Sequence, residues 1–581
     1  MISNSMRKLK ECVIDTIITV LSERFVCKID ENKNNFTSDR IEETYMKFIM
    51  DMVHDNPGEE RFKTEFRKPE KLIEYGYNTQ VFKHLNTIAE FEFYDEDFFP
   101  TQESRQWMNK MTDIVKKEVF DAKNSGLMVM SHIDLFVLPK LLFDRFKNEI
   151  CDQNGKISIF KERTKEIHRV MFDEIFEKYP VDGLIIRVGE TYLFDTPYHI
   201  GNGAVIYGDI ESEKQAFIEL INFLKEEVCD KHGKYLVFRT WDLFSDKFHA
   251  NEQYYLDITG KINPSDKLLF SIKHTALDFW RNVKFNPCLG AGKHKQVVEV
   301  QCQREYEGKG AYPMYVMNGV INGFSENKIK KGLKDIADNP LISGIYAWSR
   351  GGGWNGPYIK NEFWCDINSY VIGQYGSNPE QSEEEIFFRY AKEKMGLDFE
   401  NSKKFYELCL KVPNAVLFGR YINQYDAILN EGIMPSANWL RDDDIGGLRQ
   451  LSEVFKYLEK NNLVGESIAD KELSVKLWYE IKDLFGKIQV PNEELQEFIA
   501  NSIEYGLRFF KVIELCFKIM AKCRKHENVR ELIEEYDDAW IKYKELELKN
   551  QASSSYNLDY KFDKDGHGFD EDLKYCRANL C

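Results

Sequence analysis

The sequence predicts an α/β fold, a (β/α)8 TIM barrel, followed by an all-α C-terminal domain. Three observations favour it. Eight short apolar runs between residues 47 and 347 have the length of buried strands. Helical patterns separate most of these runs, and such alternation is typical of a parallel sheet covered by helices. From residue 362 onward only amphipathic helical patterns continue.

The fourth run illustrates the reasoning for each strand. In VDGLIIRVGE, residues 181–190, the apolar segment Leu184–Val188 lies between Gly183 and Gly189 and ends at the carboxylate of Glu190. A short apolar run bounded by glycine is typical of a buried strand. The eight predicted strands lie near residues 47–54, 76–82, 127–133, 184–188, 235–241, 268–274, 297–303 and 342–347.

Between the strands, helical periodicity predicts helices over 104–126, 157–180, 212–233 and 325–340. An open doubly wound sheet is the alternative fold. It is less favoured because no Gly-rich phosphate motif follows the early strands, and Gly351–Gly353 comes only after the last one.

Four parts follow from this pattern. We predict an N-terminal helical extension over 1–45, a catalytic (β/α)8 barrel over 46–361, a helical C-terminal domain over 362–550, and a polar tail over 551–581 that ends irregularly.

Composition narrows the function. The chain has 581 residues, of which 43% are hydrophobic and 30% charged, which is enough for a large core. Its net charge of -17 argues against a nucleic-acid partner. No apolar run approaches the roughly 20 residues that span a bilayer, so no membrane partner is expected.

The first 25 residues have the pattern of an amphipathic helix and not of a signal peptide, which predicts a cytoplasmic protein. With no CxxC pair, the 12 cysteines are expected to be free thiols.

The candidate site residues follow from the barrel prediction, because catalytic groups project from the C-terminal ends of barrel strands. Polar and aromatic residues near these predicted ends are His54, Asp55, Glu190, Arg239, Trp241, Lys273, His274, Asp278, Glu305, Trp348, Arg350 and Trp354.

Glu190, Asp278 and Glu305 are carboxylates from three different strands, which is a glycosidase-like set. One carboxylic acid protonates the leaving oxygen, and another activates water or attacks. Arg239 and Lys273 can bind an acidic substituent of a sugar, since guanidinium geometry matches a carboxylate. The alternative is that these two cations only pair with Asp278 or Glu305.

Histidines raise the question of a metal. His54, His132 and His274 together with Asp134 could ligate zinc or manganese at a barrel mouth. However, no two histidines have the helical i, i+4 spacing. We therefore expect neither a metal nor a cofactor, and we assign His54 and His274 to hydrogen bonds with sugar hydroxyls.

The same segments resemble the α-glucuronidases of glycoside hydrolase family 67, in the same order from about residue 47 to 400. The segments are VHDNPG (53–58), YGYNTQVF (75–82), VDGLIIRVGET (181–191), YLVFRTWD (235–242), LLFSIKHTALDF (268–279), VVEVQCQREYEG (297–308) and FWCDINSYVIGQYGSNPEQSEEEIFFRYAKEKMG (363–396).

This resemblance implies a (β/α)8 barrel with a helical C-terminal domain and a role in xylan degradation. The activity it implies is inverting hydrolysis of the α-1,2 bond between glucuronic acid, or its 4-O-methyl ether, and xylo-oligosaccharides. Glu190 would be the general acid and Asp278 and Glu305 the base side. Arg239 and Lys273 would hold the substrate carboxylate.

The chain departs from the family pattern at three places. Ile186 stands where the family has a lysine, with Arg187 one step later and so on the other strand face. The acid lies in VGETY and not in an Asn-Ser-Glu-Gly motif. Residues 1–45 are too few for the separate α/β domain that usually precedes the family's barrel.

The predicted partner is an oligosaccharide substrate, and any homodimer is expected to form through the helical C-terminal domain. Two further hypotheses remain: a TIM-barrel glycosidase that acts on a different sugar, and a non-catalytic carbohydrate-binding or scaffold protein.

Overall fold

A computed structural model describes residues 46–54, 63–83, 85–188, 197–201, 210–242, 246–279, 281, 283–304, 307–327, 329–351, 361–422, 451–549 and 569–581. The strands in these ranges are β1 (Phe48–His54), β2 (Thr79–Lys83), β3 (Met128–Asp134), β4 (Val137–Pro139), β5 (Gly183–Arg187), β6 (His199–Gly201), β7 (Tyr235–Arg239), β8 (Leu268–Lys273), β9 (Lys295–Gln301) and β10 (Ile342–Gly351).

Eight of these strands form a closed barrel, and the predicted fold class is confirmed. The order around the barrel is β1-β10-β9-β8-β7-β5-β3-β2, and every neighbouring pair is parallel. The predicted strand positions agree with the observed ones within a few residues at each end. The sequence did not predict β4 and β6, which form a separate antiparallel ribbon.

Apolar side chains fill the inside of the barrel below its C-terminal mouth. Phe48, Met50 and Met52 of β1 alternate with residues that face the surrounding helices. Such strands are buried on both faces, which explains why their sequences are nearly continuous apolar runs. Gly183 is required where β5 meets β7, because a Cβ there would lie 2.3 Å from the carbonyl oxygen of Tyr235.

Helices surround the barrel and continue after it. In chain order they are α1 (Pro69–Glu74), α2 (Gln102–Asn124), α3 (Lys140–Ile150), α4 (Glu162–Lys178), α5 (Ile210–Leu224), α6 (Glu252–Thr259), α7 (Met317–Asn322), α8 (Phe363–Ser377), α9 (Glu383–Glu393), α10 (Phe399–Arg420), α11 (Leu451–Lys460), α12 (Val464–Phe485), α13 (Glu493–Cys523), α14 (Arg530–Lys549) and α15 (Phe569–Asn579).

The helix predicted over 325–340 is wrong. Its only regular element in the described part is a short 3-10 turn, Leu333–Asp335. Gly332 explains the difference, because a Cβ there would lie 2.3 Å from the carbonyl oxygen of Ile321. The backbone therefore packs directly on the end of α7, and a helix with outward side chains does not fit in that space.

The helical C-terminal region packs around a buried aromatic centre. Trp478 of α12 stacks on Phe510 of α13, with ring centroids 5.4 Å apart. Tyr312, which follows β9, contacts the same two rings and so joins the barrel to the helices.

The C-terminal end differs from the irregular tail that the sequence predicts. Residues 569–579 form α15, and Cys576 makes a disulfide with Cys523 at the end of α13. The expectation of free thiols is wrong for this pair, because α15 folds back and brings two cysteines together that are 53 residues apart. Among the described residues, free cysteines include Cys151, Cys229, Cys288, Cys302, Cys365, Cys409 and Cys581.

Among the described residues, no helix is long and apolar enough to cross a bilayer.

Candidate functional site

Polar side chains replace the apolar ones at the C-terminal mouth of the barrel. They follow the same inward alternation as the apolar interior, since residues two apart on a strand face the same side. The inward polar or aromatic residues near the strand ends include His54, Lys83, His132, Asp134, Arg187, Arg239, Lys273, Glu299 and Trp348. All of them are buried.

Arg239 is paired with a carboxylate that the sequence reasoning missed. Its Nε donates to Glu299 Oε2 at 2.9 Å, and its Nη2 donates to Oε1 at 2.6 Å. The Ser271 hydroxyl, from the strand between them, donates to Glu299 Oε2 at 3.0 Å. Burial alone would raise the pKa of Glu299, but the charges of Arg239 and Lys273 and these hydrogen bonds hold the pKa below its ordinary value.

The Nε–Nη2 edge of the Arg239 guanidinium is therefore occupied by hydrogen bonds within the protein. The predicted contact with a substrate carboxylate cannot use the Nε and Nη2 donors while Glu299 holds them. Glu299 lies within an apolar stretch of β9 and not at its end, so a search limited to strand ends does not find it. The strand register would have identified Glu299, because it is the Cα partner of Lys273 on the neighbouring strand β8.

Lys273 and Asp278 form a second pair, at the edge of the mouth. Lys273 Nζ lies 2.5 Å from Asp278 Oδ1, which also accepts from the backbone amide of Phe279 at 3.0 Å. The ammonium lies over the Trp241 ring, 3.6 Å from its centroid, and within 5.7 Å of the Trp348 centroid. Aromatic faces attract a cation, so these rings help to hold the ammonium in its buried position.

Arg187, the residue that departs from the family pattern, is paired with Asp134 on the neighbouring strand β3. Its Nη2 donates to Asp134 Oδ2 at 2.6 Å, and its Nε donates to Oδ1. The side chains are only 1% and 2% exposed. The pair is thus closed between two strands, whereas Asp278 lies beyond a strand end.

His54 and Trp348 form an aromatic pair across the β1–β10 seam. Their rings stack with centroids 4.7 Å apart and an interplanar angle of 20°. His54 Nδ1 and Trp348 Nε1 are buried, and neither has a hydrogen-bond partner among the described residues. Unpaired buried polar atoms are costly unless a ligand or water satisfies them.

His132 is the second inward histidine. Its Nδ1 lies 3.1 Å from the Tyr346 hydroxyl, while its Nε2 is buried without a partner in the described part of the chain. Burial and the nearby cations, which include Arg187 and Arg239, lower the pKa of both His54 and His132 well below the ordinary value. Both imidazoles are therefore neutral near pH 7 and can accept or donate one hydrogen bond.

Two of the predicted binding residues point elsewhere. His274 follows Lys273, the last residue of β8, and so points to the opposite face, where its ring stacks on Phe324 and also lies 5.7 Å from the Phe279 ring. Arg350 follows a register shift in β10, and it contacts Glu362 at 3.1 Å and Cys365 Sγ at 3.3 Å at the start of α8. Neither joins the inward set.

Four predicted site residues lie outside the described residues: Asp55, Glu190, Glu305 and Trp354. Their predicted roles stay predictions.

Among the described residues, no three His, Cys, Asp or Glu side chains lie together so that they could hold a metal ion. Two of the residues considered for it are engaged otherwise: Asp134 by Arg187, and His132 Nδ1 by Tyr346.

Comparisons with solved structures find one chain of similar fold and several weaker likenesses. One similar structure is a "GH138 enzyme targeting pectin rhamnogalacturonan II", with a TM-score of 0.53, 11% identity, and coverage of 93% of this chain and 83% of that one. CpGH84B has a TM-score of 0.41 at 10% identity, covering 92% and 77% of the two chains. A Thermobaculum terrenum O-GlcNAc hydrolase has a TM-score of 0.40 at 9% identity, covering 92% and 94%.

At these identities the first likeness shows the fold alone, and the other two are too weak to carry an argument. No protein-family model and no curated protein sequence matches the chain. The resemblance to family 67 therefore stays a prediction, while the (β/α)8 barrel with a helical C-terminal region is shown.

Proposed function

We propose that the chain is a glycoside hydrolase whose active site is the C-terminal mouth of the barrel, and that it removes a uronic acid from short oligosaccharides. The observation that carries the proposal is the Lys273–Asp278 pair, which is held among the Trp241, Phe279 and Trp348 rings. A carboxylate beside a cation and aromatic faces suits a sugar, because rings stack on sugar faces and the carboxylate can activate water.

Asp278 is proposed as a base. A general base acts as a carboxylate, and Asp278 Oδ1 lies 2.5 Å from the Lys273 ammonium. The resemblance assigns Glu190 as the general acid and Glu305 as a partner of Asp278 on the base side. Glu190 would give its proton to the leaving glycosidic oxygen, while the base takes a proton from the attacking water. Inversion requires the two groups to be about 6.5–9.5 Å apart, which leaves room for that water.

The unpaired polar atoms of the inward wall would bind the sugar hydroxyls. His54 Nδ1, His132 Nε2 and Trp348 Nε1 offer three such positions. Neutral imidazoles suit this role, since they form hydrogen bonds with hydroxyl groups without a charge to desolvate.

Acidic-sugar specificity rests on the inward cations. The resemblance assigns the substrate carboxylate to Lys273 and Arg239, and a uronate there would compete with their present partners Asp278 and Glu299. The description of the first fold neighbour, an enzyme that targets pectin rhamnogalacturonan II, supports a carbohydrate substrate.

A second candidate is the same hydrolysis of a different, neutral sugar. The specific observation in its favour is Glu299, which already holds the Nε and Nη2 donors of Arg239 that a uronate would use.

A substrate panel tests both candidates. The wild type is incubated with aldouronic oligosaccharides and with neutral aryl glycosides, beside Glu190→Ala and the matched control Glu166→Ala. Glu166 is a half-exposed residue on α4. We expect release of uronate by the wild type and the control and a loss in Glu190→Ala. Hydrolysis of neutral glycosides only would replace the first candidate by the second. Sugar binding without hydrolysis would contradict both and favour a carbohydrate-binding protein.

A further inference from the structure

A buried charged cluster lies just beyond the end of β9, beside the mouth and apart from the residues discussed so far. Its centre is the carboxylate of Glu307. Arg304 Nη2 donates to Glu307 Oε1 at 2.9 Å, and Arg281 Nη2 donates to Oε2. All three side chains are at most 1% exposed.

Arg304 adopts a backbone conformation that needs support. Its φ is +53°, in the left-handed region that residues other than glycine seldom occupy. Such a conformation is strained and persists only where the surroundings enforce it. An ion pair joins Arg304 to Glu307, which is three residues later in the sequence.

The charges of the two arginines keep Glu307 ionised. Burial alone would raise its pKa, but Arg281 and Arg304 hold the pKa at about 2. The carboxylate is therefore a permanent anion, and two guanidinium groups from separate segments are fixed by it.

A third donor reaches the same carboxylate from the helical region. The hydroxyl of Tyr421, which follows α10, donates to Glu307 Oε1 at 3.3 Å. Tyr421 is itself held, because Lys471 of α12 donates from Nζ to its backbone carbonyl at 2.6 Å and to that of Phe418 at 2.8 Å. Arg420 adds a hydrogen bond from Nε to the Tyr312 hydroxyl at 3.1 Å.

These contacts connect α12, the end of α10 and the chain that leaves β9. We propose that Glu307, braced by Tyr421 of the helical region, is a positioning residue that fixes the chain after β9 at the barrel mouth. Its catalytic part rests on the proposed function, because Glu305, a predicted base, lies between Arg304 and Glu307 in sequence. The helical region thus takes part in building the site and does not only pack against the barrel.

Tyr421→Phe is the decisive variant, since it removes one hydroxyl and leaves both ion pairs in place. Tyr406→Phe is the matched control. Tyr406 belongs to α10, and its hydroxyl donates at 2.8 Å to the carboxylate of Glu383, at the start of α9 and not at the barrel mouth. The two substitutions therefore remove the same kind of hydrogen bond from neighbouring parts of the helical region.

Two measurements are made on the full chain: hydrogen–deuterium exchange in peptides that span residues 302–311, and kcat and KM on the sugar that the wild type hydrolyses. In Tyr421→Phe we expect exchange in this segment to be about tenfold faster and kcat about tenfold lower, with KM within twofold. Tyr406→Phe is expected to leave all three values near those of the wild type.

Equal exchange in the 302–311 segment for Tyr421→Phe and Tyr406→Phe would show that the Tyr421–Glu307 hydrogen bond does not hold this segment. Faster exchange with an unchanged kcat, or an equal loss of kcat in both variants, would overturn the positioning role. A wild type that hydrolyses no sugar would refute the proposed function, whereas the exchange measurement would still decide whether Tyr421 and Glu307 hold this segment.

Discussion

The two halves of the barrel mouth differ in the position and exposure of an aspartate that is paired with a cation. In the first half, formed by β1, β2, β3 and β5, Asp134 and Arg187 are locked together between adjacent strands. In the second half, formed by β7, β8, β9 and β10, Asp278 lies after a strand end beside Lys273. The Asp278 side chain is 11% exposed and that of Asp134 is 2% exposed. The second half also holds a closed ion pair, Arg239 with Glu299, so the halves differ in Asp278, the carboxylate that we propose for the chemistry.

Asp278→Asn should have the largest effect. The amide keeps the shape of the side chain but cannot accept a proton, so we expect kcat to fall about 10³-fold, within the range for loss of a general base. Steady-state kinetics on the hydrolysed sugar measures it. Lys273 keeps its contact with the Trp241 ring and the nearby charge of Glu299, which limits the structural cost. A kcat within tenfold of the wild type would remove Asp278 from the reaction.

Asp134→Asn is the counterpart in the first half. It leaves the buried charge of Arg187 uncompensated, and breaking such a pair costs about 3–5 kcal/mol of unfolding free energy. Urea denaturation measures this loss. Activity of the folded fraction should stay within tenfold of the wild type. Unchanged stability together with lost activity would show that this pair belongs to the reaction and that the comparison is reversed.

The pH dependence of stability tests the burial of His54 in the first half. His54 has a pKa lowered well below 6.5 by burial, while the unfolded chain titrates near 6.5. Below pH 6.5 the imidazole of His54 therefore binds a proton in the unfolded state but not in the folded state. The contribution of neutral His54 to the free energy of unfolding is complete above pH 6.5 and is lost as the pH falls below it. Between pH 6.5 and 5 we expect the free energy of unfolding of His54→Gln to fall by about 2 kcal/mol less than that of the wild type. Urea titrations at each pH measure this difference. Identical slopes in the two proteins would mean that the His54 site is open to protons when folded.

Trp348→Phe should have the smallest effect. It keeps a ring beside His54 but removes the unpaired Nε1, so we expect KM to rise about tenfold with little change in stability. Trp364→Phe is the matched control, because Trp364 Nε1 donates to Ser502 at 3.1 Å in the helical region. The control should lose about 1 kcal/mol of stability and keep its KM. Equal changes in KM for both variants would remove Trp348 from the binding site.

The strands were predictable and one helix was not, for physical reasons. A barrel strand is buried on both faces, so its sequence is an apolar run that stands out between polar segments. The segment 325–340 has helical periodicity, but its structure is set by the close backbone contact at Gly332. That contact depends on a partner outside the segment, which local periodicity does not reveal.

The positions of polar residues at strand ends were more predictable than those within strands. Lys273 ends a strand and Asp278 follows it, and they form the ion pair that the sequence analysis gave as the alternative to substrate binding. Glu299 and the closed state of Arg187 were not found, since both depend on which face of a strand meets which neighbour. The Cys523–Cys576 disulfide depends in the same way on α15 folding back onto α13.

The most direct test of the central claim is a proton NMR time course of an aldouronic oligosaccharide with the wild type and with Asp278→Asn. Inversion of an α-linked substrate predicts that the uronic acid is released first as its β-anomer, and that release is lost in the variant. First release of the α-anomer, or equal release by the wild type and Asp278→Asn, would contradict an inverting hydrolysis by the second half of the mouth.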